Sequence, residues 1–158
     1  MRIAEIQIER FGGWQNLNLP MTPGHLSVFY GPNEAGKTTL MRFVRGVFYG
    51  FTPHVTDLFG EQTAKLPRSG SLKVELDGQT LRVHRSAVGG GRGELALTGL
   101  DQPRTAQDWL HDSLRGINEK VFENIYAIGL KELQELGSLA DEDVSKHVYG
   151  LSLGPEAR

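Results

Sequence analysis

The first fifty residues alternate between apolar and polar positions in a way that predicts strands followed by a helix. Residues 4–9 alternate Ala, Ile and Ile with Glu, Gln and Glu, which is typical of a half-buried strand. Residues 17–20 repeat the alternation and end at a proline. Residues 26–30 are mostly apolar, which predicts a strand buried on both faces, as in a parallel sheet. The next apolar positions share one helix face, and Gly50 ends that helix: Leu40, Phe43, Val44, Val47 and Phe48.

The second half of the chain predicts a β-hairpin and then helices. Residues 51–70 have no period and contain two prolines and two glycines, so we expect a long surface loop there. Residues 72–83 alternate around Asp77-Gly78, a pair that favours a tight primed turn, and residues 95–97 add a third strand. Thr105 begins a capping-box pattern, with Asp at the position that Glu or Gln usually takes.

These elements predict an α/β fold with a mixed sheet, in one domain that spans residues 1–158. Its parts are the strands and first helix (1–50), the loop (51–70), an antiparallel β-subdomain (71–98) and a helical C-terminal part (104–150). Within the last part we expect short helices over 131–136 and 141–149.

Composition excludes several classes of function and adds little else. The formal net charge is −2, so no basic excess supports binding to nucleic acid. The sequence contains no cysteine, which excludes a disulfide scaffold, a thiolate metal site and a cysteine nucleophile. There is no signal-peptide core and no apolar run approaching the ~20 residues that span a bilayer, so we expect a cytoplasmic protein.

The candidate chemistry lies between the apolar run and the first helix. Residues 31–38 match the pattern G-x-x-x-x-G-K-[ST], with a predicted strand before it and a predicted helix after it. In such a loop, glycines allow the backbone N–H groups to approach a polyphosphate, and the helix N-terminus adds its positive end. We therefore predict a nucleotide-binding loop for ATP and Mg²⁺, formed by Gly31, Pro32, Asn33, Glu34, Ala35, Gly36, Lys37, Thr38 and Thr39.

Two side chains of this loop have expected roles. Lys37 is the candidate catalytic residue, because its ammonium group reaches the β- and γ-phosphates. The Thr38 hydroxyl is the candidate Mg²⁺ ligand.

The loop, the N-terminal strand ending in Arg10-Phe11-Gly12, and residues 129–134 (Gly-Leu-Lys-Glu-Leu-Gln) together resemble the SMC-like ABC ATPases, a group that includes the SbcC-type, RecF and RecN proteins. The similarity is greatest to the YhaN-like AAA-family branch. The resemblance implies an N-terminal lobe of a split ATPase head. It implies a C-terminal lobe that carries the Walker B and signature motifs, a dimer of heads that sandwiches ATP, and a role in DNA repair or chromosome maintenance.

The sequence departs from that family at several motifs. No Walker B motif is found, since residues 139–142 have too short an apolar lead. Residues 151–154 imitate only part of the signature. Gly129 occupies the position expected for the Q-loop glutamine, and Gln134 is wrongly spaced. Two alternatives therefore remain open, namely a stand-alone nucleotide-binding switch and a different P-loop enzyme such as a small kinase.

Other candidate residues have both functional and structural interpretations. Residues 89–93 either cradle an anion or connect two strands, and we favour the connection. Trp14 or Phe11 either stacks on adenine or packs in a turn, and we favour packing. The histidines show no metal-ligand spacing. A mild basic cluster around the hairpin either contacts DNA phosphates or is a solvated face: Lys65, Arg68, Lys73, Arg82 and Arg85.

Overall fold

A computed structural model describes residues 1–52, 66–89, 91–100 and 104–127. Residues 1–119 form one compact unit, and residues 120–127 are the described part of a second unit. The elements in chain order are strands β1 (Arg2–Phe11) and β2 (Trp14–Pro20), helix α1 (Lys37–Tyr49), strands β3 (Arg68–Leu76), β4 (Gln79–Ala87) and β5 (Glu94–Thr98), helices α2 (Ala106–Ser113) and α3 (Glu119–Val121), and a π-helical turn (Phe122–Tyr126).

The five strands form one sheet in the order β2-β1-β3-β4-β5. Every neighbouring pair is antiparallel, so the described strands show none of the parallel pairing that a mixed sheet requires. The predicted hairpin is confirmed, with Leu72 opposite Val83 and Val74 opposite Leu81. Its turn is of the primed kind, because Asp77 and Gly78 take φ angles of 50° and 81°.

The prediction of a buried strand over residues 26–30 is wrong for the structure described. These residues are assigned to no strand. Leu26, Val28 and Tyr30 are 90%, 77% and 98% exposed. The apolar pattern is typical of burial on both faces, but no described strand lies alongside this segment to bury it. The sequence pattern therefore predicts apolar neighbours on both faces of residues 26–30, which the described part of the chain does not provide.

Several predicted boundaries and caps can be compared with the structure. Strand β3 begins at Arg68, so three residues assigned to the long loop belong to the sheet. The capping interaction at Thr105 is confirmed, since its hydroxyl oxygen accepts from the Asp108 N–H at 3.1 Å. Gly50 ends α1 as predicted, and its N–H donates to Gly46 O at 2.8 Å. Most of the 51–70 loop and the helices predicted after residue 127 lie outside the described residues.

An aromatic cluster joins α1 to the sheet. Phe11 from β1, Phe43 from α1 and Phe51 after α1 are fully buried, with ring centroids 5.3–6.1 Å apart. Phe11 and Phe43 meet edge to face, an arrangement that aromatic quadrupoles favour. The inward positions of β1, β3 and β4 extend this core, chiefly through Ile6, Ile8, Leu72, Val74, Leu81 and Val83.

Arg85 holds the C-terminal end of α1 against the sheet. Its buried guanidinium donates to Val47 O at 2.9 Å and to Phe48 O at 3.3 Å, two carbonyls of the last helical turn. Burial, with a further effect of nearby Arg92, lowers the pKa of Arg85 to about 10. Arg85 is therefore still charged at neutral pH, where it complements the negative end of the helix dipole.

The basic cluster expected around the hairpin does not form a single surface. Arg68 and Arg85 are buried on the face that packs against α1. Arg82 lies on the opposite face, where it pairs with Glu5 at 3.0 Å and donates to Gln7 Oε1 at 2.8 Å. The sheet therefore separates these cations.

None of the helices in the described ranges is long and apolar enough to cross a membrane.

Gly70 provides a test of the contact between α1 and the sheet. A methyl group there would overlap Gln7 O and lie 2.6 Å from Phe43 Cζ. We expect Gly70→Ala to destabilise the fold by about 1–3 kcal/mol, as overpacking of a tight core does. Gly13→Ala is the matched control, because a methyl group there meets nothing within 4 Å. Urea titration followed by circular dichroism measures both, and equal midpoints would contradict this packing.

Candidate functional site

The predicted phosphate loop joins residues 26–30 to the N-terminus of α1. The helix begins at Lys37, and Gly36 is its N-cap with φ of 89°, a backbone conformation that favours glycine. A methyl group on Gly31 would lie 2.9 Å from Ala35 Cβ, so a side chain at residue 31 would crowd the loop. The sequence spacing and the loop geometry therefore agree at both glycines.

The start of α1 presents free backbone donors. No side chain caps this end, and the first turn contains no acidic residue. The first intrahelical bond runs from Leu40 N to Gly36 O at 2.9 Å. The N–H groups of the three residues before Leu40 are therefore those that an α-helix leaves without an intrahelical partner. With the positive end of the helix dipole, they suit the binding of an anion.

Lys37 lies folded back over the loop. Its ammonium group donates to Gly31 O and to Pro32 O, both at 2.7 Å, and the side chain is exposed. An ammonium group has three donors, so two hold the loop carbonyls and one is left for an incoming oxygen. The structure thus places the candidate catalytic lysine at the loop from which the predicted phosphate contacts arise.

The other predicted site residues are gathered in the same stretch. Thr38 is exposed at the start of α1, beside Lys37, and Thr39 is half-buried. Glu34 takes φ of 67°, within a tight turn in which Ala35 N donates to Pro32 O at 3.3 Å. Over the described ranges, no three His, Cys, Asp or Glu side chains lie together as a metal site. One hydroxyl next to a polyphosphate loop suits Mg²⁺, which is commonly held by few protein ligands together with substrate phosphates.

Trp14 lies against the loop, a contact that the sequence pattern did not specify. A methyl group on Gly36 would lie 2.5 Å from Trp14 Cζ2 and 2.8 Å from Nε1, so the indole packs on the backbone of Gly36. Trp14 also lines an open groove of about 280 Å³, together with Val28 and Lys37 among other residues. Since Trp14 and Gly36 lie far apart in sequence, only the folded hairpin brings them together.

Helix α1 is also tied to the segment that follows α2. Arg45 Nε and Nη2 donate to Glu119 Oε1 at 3.1 and 3.0 Å, in a partly buried ion pair. Tyr49 Oη donates to Ile117 O at 3.0 Å. The helix that begins at the phosphate loop is therefore held along its length by the sheet and by residues 117–119.

The described residues of the glycine-rich segment 89–93 pack against the chain at the end of α1. Arg92 O accepts the N–H of Phe51 at 3.0 Å. A methyl group on Gly50 would lie 2.9 Å from Arg92 Cβ, which shows how closely the two backbones approach. These contacts support the interpretation of this segment as a strand connection.

The antiparallel sheet packs on a helix that begins with a G-x-x-x-x-G-K-T loop. This combination is typical of the phosphate-binding lobe of P-loop nucleotide-binding proteins. The chain belongs to the AAA_27 family, described as an AAA domain, whose model matches residues 1–147. It is 27% identical to the YhaN protein of Bacillus subtilis (strain 168) over 165 residues. That alignment covers 99% of this chain but only 16% of YhaN.

The fold is also similar to a solved structure described as "Structural biochemistry of ATP-driven dimerization and DNA stimulated activation of SMC ATPases". The TM-score is 0.66 at 14% identity, and the match covers 94% of this chain and 96% of that one. The family match confirms the expected AAA-family branch, and the structural match shows a fold similar to that of an SMC ATPase. The candidate Walker B, signature and Q-loop positions, from residue 129 onward, lie outside the described residues.

The geometry of Lys37 leads to a binding prediction. We expect Lys37→Ala to remove most affinity for ATP with Mg²⁺ while leaving the fold intact, because Lys37 is exposed and bonds only to loop carbonyls in the described structure. Isothermal calorimetry measures the binding and circular dichroism the fold. The matched control is Lys120→Ala, an exposed lysine outside the loop. ATP binding of equal strength in wild type and Lys37→Ala would exclude this role.

Proposed function

We propose that this chain is the ATP- and Mg²⁺-binding lobe of an SMC-like ATPase that hydrolyses ATP only when a C-terminal lobe and a second head complete it. In this proposal Gly31–Thr39 bind the phosphates, Lys37 contacts the β- and γ-phosphates, and Thr38 holds Mg²⁺. The chain spans only 16% of YhaN, so its relative contains much more protein than this lobe.

The observation that carries the proposal is the exposed segment that leads into the loop. Leu26, Val28 and Tyr30 are largely exposed, yet they come directly before the predicted phosphate loop. Strands that lead into such loops in α/β proteins are normally inside a sheet with apolar surroundings on both faces. A missing lobe that pairs with residues 26–30 would bury them and complete the sheet. The same lobe would bring acidic groups close to the phosphates.

Hydrolysis needs more than the described residues supply. In-line attack on the γ-phosphate needs an oriented water molecule, a residue that positions it, and positive charge opposite the leaving group. Lys37, Thr38 and the helix N-terminus supply phosphate and metal contacts. The remaining groups are expected from the C-terminal lobe and, across a dimer of heads, from the second copy. This division gives an isolated lobe that binds nucleotide but turns it over slowly.

The process served by the ATPase is proposed from similarity. The structurally similar protein is described as an SMC ATPase with ATP-driven dimerization and DNA-stimulated activation. On that basis we propose a homodimer of heads acting in DNA repair or chromosome maintenance in the cytoplasm. The formal net charge of −2 shows no basic excess, so in this proposal contacts with DNA come mainly from other parts of the protein.

Reconstitution tests the division of labour between lobes. We expect the chain alone to hydrolyse ATP barely above background, because a missing trans element costs on the order of 10³ in rate. Adding the C-terminal lobe should restore phosphate release, with a rate that rises steeply with protein concentration because two heads must meet. Lys37→Ala is the blank. Robust, concentration-independent turnover by the chain alone would favour a self-contained P-loop enzyme, and ATP binding that no lobe activates would favour a stand-alone switch.

A pair of valine substitutions tests the exposed segment directly. Val28 and Val88 are 77% and 78% exposed, so Val28→Glu and Val88→Glu should leave the isolated lobe equally stable. Only Val28→Glu places a charge where the C-terminal lobe is proposed to pack. An unpaired charge in a buried sheet is strongly unfavourable, so this substitution should prevent the packing. We expect Val28→Glu alone to abolish restored turnover. Equal turnover of the two variants would contradict the proposed contact.

A further inference from the structure

The tip of the β1–β2 hairpin contacts α1 at two levels. Phe11 and Trp14 are paired across the hairpin, on either side of a two-residue glycine turn, so their side chains share one face of the sheet. Phe11 packs against Phe43, and Trp14 packs against Gly36. Residues 36 and 43 lie on the same helix face, about two turns from each other. The hairpin therefore supports the first two turns of the helix from one side.

Gly36 is the residue at which the chain turns from the loop into the helix. Its φ of 89° turns the chain into α1, and no side chain caps the helix at this point. Without a cap, the direction of the first free N–H groups depends on what packs around the N-cap backbone. The contact seen there is the indole of Trp14, whose Cζ2, Cε2 and Nε1 atoms would lie 2.5–2.8 Å from a methyl group on Gly36.

We propose that Trp14 is a positioning residue for the phosphate site, which fixes the Gly36 backbone so that the N–H groups at the start of α1 point to the bound phosphates. The proposal rests on the proposed function, since it assumes that this loop binds a polyphosphate. Trp14 acts here through Gly36 and not by contact with the nucleotide. Its effect is therefore the same for any ligand that carries the polyphosphate group, whether or not a base is attached.

The nature of the ligand separates this role from stacking on the base. We expect Trp14→Ala to weaken binding of ATP and of inorganic tripolyphosphate, each with Mg²⁺, by the same factor. That factor should be about tenfold, the lower end of what the outer partners of metal ligands contribute. Trp14→Phe should recover most of the affinity, because a flat ring still covers Gly36. Trp14→Leu, which stays apolar but lacks the ring, should resemble Trp14→Ala and replaces it if the alanine variant unfolds.

The binding titrations decide among the outcomes. Weakened ATP binding with unchanged tripolyphosphate binding would overturn the proposal in favour of a contact with the base. Unchanged binding of both ligands, by variants with wild-type circular dichroism spectra, would overturn it in favour of simple packing. Wild-type protein that binds neither ligand would refute the proposed nucleotide site itself, a result distinct from both.

Fluorescence gives an independent readout of the contact. The chain contains two tryptophans, Trp14 and Trp109, and Trp109 is buried in α2, away from the loop in sequence. Trp109→Phe leaves Trp14 as the single reporter. We expect tripolyphosphate with Mg²⁺ to shift its emission, because the ligand orders the backbone on which the indole lies. No shift at saturating tripolyphosphate, with binding confirmed by calorimetry, would show that Gly36 and Trp14 are not coupled to the phosphates.

Discussion

The packing of α1 on the antiparallel sheet is the contact on which the remaining features depend. A phosphate loop is a short stretch of backbone with few contacts of its own. Its geometry therefore depends on the position of the helix that follows it. Here the aromatic cluster of Phe11, Phe43 and Phe51 fixes the helix, and Arg85 binds the carbonyls at its far end. A helix held at both ends keeps its N-terminal N–H groups in one direction, which is what a binding site for a charged ligand requires.

The supporting contacts come from parts of the chain that are distant in sequence. The phosphate loop lies within one short stretch, but Trp14 contacts it from the first hairpin. Arg85 from the fourth strand and Glu119 from beyond the second helix contact the helix that follows the loop. The sheet order places β3, which follows the loop, beside β1, which precedes it, and β4 pairs in turn with β3. The strands that pack on α1 therefore come from both before and after the nucleotide motif in sequence.

Local patterns predicted those parts of the fold that local physics decides. Alternation identified β1, β2 and the hairpin, Asp77-Gly78 identified its turn, and the spacing of Gly31, Gly36 and Lys37 identified the loop. The contact between Trp14 and Gly36 and the capping of α1 by Arg85 were not predicted, because both depend on strand pairing across tens of residues. An arginine in an alternating strand gives no local sign of whether it will meet water or a helix terminus.

Residues 26–30 show a different limit of sequence analysis. Their pattern indicates a fully buried strand, and the described fold leaves them exposed, so sequence and structure disagree about the surroundings of the same residues. An apolar segment that none of the described strands pairs with is a template for pairing with another chain. The chain also has a net charge of only −2, which provides little mutual repulsion. In a concentrated preparation, the lobe is therefore prone to self-association through this segment, and its solubility depends on whether residues 26–30 are covered.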